Sequence, residues 1–209
     1  MLAALAAAVA ALAQPDPSAF VGRVDNTWFP LRPGTTWVYR GSKDGKPSRD
    51  VVTVERGTRT IAGVRCTVVH DRLFLDGKLA ERTTDWYAQD RAGNVWYFGE
   101  ATAELDPSGR IASTEGSWRT GVDGARPGIL MPAHPKVGQR FAQEHYPGHA
   151  EDHFQVVRVS ARKLLTKEWT PLEPGVIDHK SYTKGVGMVS EATVRGGSER
   201  AVLVSLRRS

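Results

Sequence analysis

The chain has 209 residues, 40% of them hydrophobic and 24% charged, with 21 Gly, 12 Pro and a single Cys. That length can bury a core without disulfide or metal staples, and the composition excludes collagen, low-complexity and disulfide-scaffold chains. The net charge of +5 is a mild excess of basic residues scattered along the chain, which argues against nucleic acid as a partner.

Met1 to Ala13 reads MLAALAAAVAALA, an apolar run too short to cross a bilayer, which takes about 20 residues. It matches the apolar core of a secretory signal, and Ala11-Leu12-Ala13 before Gln14 has the small-x-small form of a cleavage site. Gln14-Pro15-Asp16-Pro17 stops any helix directly afterwards, and no cysteine follows that could take a lipid. The expectation is a signal segment over 1–13, an extended lead-in over 14–25 and one exported, soluble β domain over 26–208. Its place would be periplasmic or extracellular, with no transmembrane span.

From Thr35 onward the punctuation is that of a β meander. Thr35 to Tyr39 is followed by the turn Lys43-Asp44-Gly45-Lys46, Asp50 to Val54 runs to a turn near Gly57, and Ile61-Ala62-Gly63 leads into Val64 to Leu75. Asp76-Gly77 is a hairpin turn, since both residues tolerate positive φ. Thr83 to Gln89 then pairs across Asp90 to Asn94 with Val95 to Phe98. The second half is more irregular: Asp106 to Gly109 and Gly121 to Gly128 are loops, and Ile129 to Pro132 is short and apolar. Strands resume at Gln139–Glu144, Asp152–Val159, Leu164–Thr170, Ile177–Tyr182, Gly187–Val194 and Arg200–Leu206. Runs rich in Val, Thr, Tyr and Trp with turns every ten or so residues predict an all-β, antiparallel meander, a curved sheet or an open barrel or sandwich. No sustained period of 3.6 occurs after the signal segment, so little helix is expected.

Five features could carry chemistry. Cys66 lies in a strand-like run without a second cysteine and reads as a buried, inert thiol. Three of the six histidines fall in Glu144-His145-Tyr146-Pro147-Gly148-His149-Ala150-Glu151-Asp152-His153. On a strand, His149, Glu151 and His153 would share one face, forming a half-site for a divalent metal or a proton relay. The bland alternative is a solvated hairpin end. Glu168 sits in an apolar run beside Trp169, and a glutamate on an inner face would have a raised pKa suited to acid–base work. His179 on the next strand could lie beside it across a Pro171–Gly175 loop, while an ion pair of Glu168 with Lys167 or Lys180 is the alternative. Among the aromatic residues, Trp37, Trp86, Trp96 and Trp169 are candidates to line a ligand cavity, with core packing as the default role.

Gly-x-Ser-x-Gly and Walker motifs are absent, and Gly185-Val186-Gly187 does not continue as a dinucleotide fingerprint. Asn26 to Trp37, Gly93-Asn94-Val95-Trp96-Tyr97-Phe98-Gly99-Glu100, Gly121 to Gly128 and Thr166 to Lys180 together resemble a widespread family of exported bacterial β proteins without an established function. The resemblance covers most of the mature chain. It implies export and a compact β fold, and it assigns no catalytic residue.

Two functions follow as expectations. The first is a binding or carrier protein whose aromatic-lined cavity holds a small-molecule or lipidic ligand. The second is a metal-assisted or acid–base hydrolase using His149, Glu151 and His153 with Glu168 and His179.

Overall fold

The computed structural model describes residues 16–208, so the expected signal segment at 1–13 lies outside the described residues. A 3-10 turn at Pro17–Ala19 leads into β1 (Phe20–Val21), and the remaining regular elements are strands. The first meander comprises β2 (Thr36–Lys43), β3 (Lys46–Ile61), β4 (Val64–Leu75), β5 (Lys78–Asp90) and β6 (Val95–Leu105). Its hairpins turn where the sequence supplies positive φ: Asp44-Gly45 at 52° and 71°, Ala62-Gly63 at 46° and 80°, and Asp76-Gly77 at 49° and 77°. Two consecutive positive values form a turn whose twist matches that of the strands it joins.

Short strands follow: β7 (Ile111–Ser113), β8 (Trp118–Arg119), β9 (Arg126–Met131), β10 (Arg140–Ala142) and β11 (Glu144–His145). A second meander comprises β12 (His153–Val159), β13 (Lys163–Trp169), β14 (Ile177–Thr183), β15 (Gly187–Arg195) and β16 (Arg200–Arg207). All pairs are antiparallel, in the order β10-β12-β13-β14-β15-β16-β2-β3-β4-β5-β6-β9-β11. No helix among the described residues is long and apolar enough to cross a membrane.

The two ends of that order, β10 and β11, are separated in the chain only by Gln143. Residues 140–145 therefore pair first with β12 (Phe141 opposite Phe154) and then with β9 (His145 opposite Arg126). One short stretch thus brings the sheet around into a nearly closed barrel. Gly128 of β9 faces this seam so closely that an added Cβ would lie 2.2 Å from the Ala142 carbonyl oxygen and 2.6 Å from that of Gln143. Here glycine is required by contact between two backbones.

Strand alternation sorts the side chains into two apolar clusters. The inner one contains Trp37, Tyr39, Val54, Val69, Tyr87, Tyr97, Phe154, Val156, Leu164 and Tyr182, with Val24, Trp28 and Leu31 packed into it. Full burial of a residue such as Phe154 or Leu164 contributes about 1.5–3 kcal/mol. The outer one groups Ile61, Val64, Cys66, Val68, Trp86, Ala88 and Phe98 under Phe20 and Trp96. Its Cys66 is fully buried, and burial pushes the thiol pKa up to about 12.

Residues 24–35 close one end of the barrel. Buried Asn26 holds this plug: its Oδ1 accepts from Trp28 N at 2.8 Å, and its Nδ2 donates to Gly93 O and Pro132 O. Gln89 Oε1 in turn accepts from Asp25 N and Asn26 N at 2.9 and 2.8 Å.

If the seam closes the barrel, Gly128→Ala will lower stability by roughly 3 kcal/mol or more, at or beyond the upper end for overpacked sites. Urea unfolding followed by tryptophan fluorescence measures this. An unchanged midpoint would show that β9 and residues 142–143 are not in contact.

Candidate ligand-binding lumen

The same alternation sorts charge. In Arg49-Asp50, Asp71-Arg72 and Glu81-Arg82, neighbouring residues of opposite charge point to opposite faces. The carboxylates turn inward, where Asp50, Asp71 and Glu81 line interior cavities, while Arg49, Arg72 and Arg82 are exposed outside. Register sets the inner acids on a diagonal. Asp50 is opposite Leu73, Asp71 is opposite Val52, and Asp85 is opposite both Val69 and Glu100. Each step shifts by one residue pair, as the strand tilt of a barrel requires for side chains at one level of the axis.

Two interior cavities meet at this level. One, of about 220 Å³, is walled by Trp37, Tyr39, Tyr87 and Tyr182 with Phe29 and Leu31 of the plug. The second, of about 240 Å³, is more polar and is lined by Glu81, Asp178, Thr193 and Glu199 among others. Asp50, Asp71 and Glu191 line both. Lys43 and Arg200 also line the second cavity, where the Lys43 ammonium and Glu199 carboxylate are 3.9 Å apart, across the β2–β3 and β15–β16 ends.

Three of the inner aromatic residues have their polar ends tied off. Trp37 Nε1 donates to Val186 O at 2.8 Å, and the Tyr39 hydroxyl donates to Met188 O at 3.1 Å. The Tyr97 hydroxyl donates to Asp85 Oδ1 at 2.6 Å. The apolar ring surfaces of Trp37 and Tyr39 are what remain for the cavity.

Burial governs the titration of the inner acids. It pushes Asp85 up to about 7 against the hydrogen bond from Tyr97, and it pushes Glu100 up to about 8 with help from the Asp85 charge. Glu144, at the seam, rises to about 9 through burial and the nearby Asp152 and Glu100 carboxylates. Burial also raises both Asp50 and Asp71, and the hydrogen bond between them raises Asp71 further while lowering Asp50. The pair therefore retains a proton shared between the two carboxylates above the ordinary aspartate range. Asp50 Oδ1 is buried and has no hydrogen-bond partner among the described residues.

Lys180 is the one basic residue lining the aromatic cavity among the described residues. Its Nζ lies 2.8 Å from Glu168 Oε2 and 3.4 Å from Glu191 Oε1. Burial alone would lower its pKa, but the two carboxylates outweigh this and hold it well above the usual value. Glu168 also accepts from Thr166 Oγ1 at 3.0 Å and from the Tyr182 hydroxyl at 3.5 Å. The ion pair with Lys180, one of the two readings of Glu168, is thus present.

The other sequence candidates lie elsewhere. His179 is opposite Lys167 on β14, whereas Glu168 is opposite Asp178, so the two candidates occupy different faces of the sheet. His149 sits in the exposed Tyr146–Ala150 turn with its ring stacked 4.4 Å from Tyr146, and Glu151 accepts from Gly148 N at 2.7 Å. The strand begins only at His153, whose ring stacks on Trp169 at 5.6 Å. Among the described residues no three His, Cys, Asp or Glu side chains are gathered so as to hold a metal ion. Of the four tryptophans, Trp37 lines the lumen. Trp86 lies in the outer cluster with Arg59 4.8 Å over its ring, Trp96 packs against that cluster and donates to Asp90 Oδ2, and Trp169 pairs with His153.

Comparison with family models and with curated proteins finds no match. A crystal structure of a protein described as a candidate lipoprotein, from Parabacteroides distasonis, is 11% identical, covers 87% of this chain and 99% of its own, and superposes with a TM-score of 0.44. No property of that protein is carried over to this chain at such a level of likeness.

The Lys180→Met variant will be less stable by about 3 kcal/mol, the lower end for a buried pair, because it leaves the buried Glu168 and the half-buried Glu191 without their counter-charge. Adding Glu168→Gln will recover part of the loss, and chemical denaturation of both variants checks this. A separate prediction concerns pH. Acids whose pKa is raised by folding stabilise the fold fully below their ordinary values near 4, and that contribution is lost as pH rises through the folded values. With Asp85, Glu100 and Glu144 at about 7, 8 and 9, the urea midpoint will fall between pH 5 and pH 9. A midpoint that rises over this interval would contradict the placement of these groups.

Proposed function

We propose that this protein is an exported binding protein that holds a small ligand inside the barrel. The observation that carries the reading is the partly open, aromatic-walled cavity of about 220 Å³, which shares Asp50, Asp71 and Glu191 with a second, polar cavity. Protein interiors are close-packed, and a cleft of this size beside the unpartnered Asp50 Oδ1 leaves both apolar surface and a polar atom for a ligand to cover. Sites for drug-sized ligands run from about 300 Å³ upward, while a dry cavity of about 150 Å³ accepts benzene. The aromatic cavity therefore suits a compact ligand, with one apolar end among the rings and a polar group at the carboxylate level. The secretory-type segment at 1–13 supports export.

Titration calorimetry with benzylammonium, benzyl alcohol and benzoate tests the reading. At least one of these will bind with a stoichiometry of one per chain. Met188→Trp fills the aromatic cavity, which Met188 lines, and will abolish that binding. Circular dichroism will confirm that the variant folds. Absence of binding by all three solutes, or full binding by the variant, would overturn the proposal.

A further inference from the structure

We infer that the ligand is an organic cation, an ammonium compound whose charged head lies among Asp50, Asp71 and Glu191 and whose apolar part lies against Trp37, Tyr39 and Tyr182. This rests on the lumen being the binding site and adds the charge class of its ligand.

Four independent features of the lumen agree. Strand alternation sends Arg49, Arg72 and Arg82 to the exterior, so these arginines do not lie inside beside the acids next to them in the chain. Lys180, the basic residue of the aromatic cavity, is already committed to Glu168 and Glu191. Asp50 shares a hydrogen bond with Asp71, yet its Oδ1 is buried with no donor among the described residues. Buried carboxylate oxygens in folded proteins have donors, and an ammonium N–H brought by a ligand would supply this one. Finally, the residues on the other side of the carboxylate level are aromatic, and aromatic walls with a carboxylate beside them stabilise an organic cation through ring quadrupoles and charge together.

In the aromatic cavity an anionic ligand would meet Asp50, Asp71, Asp85 and Glu191 with only Lys180 in its favour. In the polar cavity Lys43 and Arg200 face the acids Glu81, Asp178 and Glu199 as well as Asp50, Asp71 and Glu191. A bare metal ion needs several oxygen ligands converging on one point, and no three acidic or histidine side chains among the described residues are so arranged. An ammonium group needs only one to three acceptors, and it tolerates aromatic surface as the rest of its shell.

The same three solutes, which share one ring and differ in charge, provide the experiment. At pH 7 benzylammonium will bind at least tenfold more tightly than benzyl alcohol, and benzoate will not bind measurably. Asp50→Asn keeps the side-chain shape while removing the charge. It will weaken benzylammonium at least tenfold and leave benzyl alcohol within twofold. Glu191→Gln provides the same reading should Asp50→Asn fold poorly. Equal binding of the alcohol and the ammonium, or tighter binding of benzoate, overturns the cation assignment while the lumen remains the site. Benzylammonium binding that survives Met188→Trp, or no binding of any solute, overturns both.

Discussion

The structure depends on how residues 140–145 divide their hydrogen bonds. A sheet built from hairpins has two edges, and each edge exposes unpaired N–H and C=O groups. Here β10 pairs with β12 and, one residue later, β11 pairs with β9. The two edges are thereby joined through the chain itself. The approach of Gly128 to the Ala142 and Gln143 carbonyls leaves no space for a side chain at that point. Without this closure the sheet, continuous through the β2–β16 pairing, would stand open between β9 and β12. Its inner face, with Trp37 and Tyr182, would then be open to water on that side.

Closure also explains the arrangement of charge. Once alternate residues are committed to inside and outside, each acid–arginine neighbour pair becomes a charge separation across the wall. Outside, Arg72 lies directly opposite Arg82 and Arg40 opposite Arg49, at exposed positions where water screens the repulsion. Inside, screening is weak, and the protein meets the cost by retaining protons on the raised acids, by hydrogen bonds from Tyr97, and by Lys180 between Glu168 and Glu191. Part of the interior charge is thus removed by protons held on Asp85 and Glu100.

Much of the fold is legible in the sequence, because its hairpins are local. Asp44-Gly45 and Asp76-Gly77 announce their turns, and the predicted strands from Thr35 to Leu206 fall on observed ones, usually as shorter versions. The short Ser160–Arg162 connection also makes a hairpin, with Ser160 N donating to Lys163 O. The site was much less legible. Period two says that Asp71 and Arg72 face opposite ways, but only the closed barrel says which way is in. Trp86 and Trp96 read like Trp37 because residue type and spacing are alike, yet bulges and register place them on the outer face. The histidines cluster in sequence because a turn holds them, and a turn does not impose the strand alternation that would align His149, Glu151 and His153. The inward acids did leave a trace, in the recurrence of adjacent opposite charges within strands at 49–50, 71–72 and 81–82.

The pairing of β2 with β16 has a consequence for how the molecule assembles. Thr36 lies opposite Arg207, although nearly the whole chain separates them. The ladders within residues 36–105 and within 153–207 join sequence neighbours and can zip quickly as independent meanders. Joining the two halves along β2 and β16 requires closing a very long loop, and such non-local steps are slow. Docking of the two halves along this ladder is therefore the longest loop closure in the topology, and the lumen, walled by both halves, cannot exist before it.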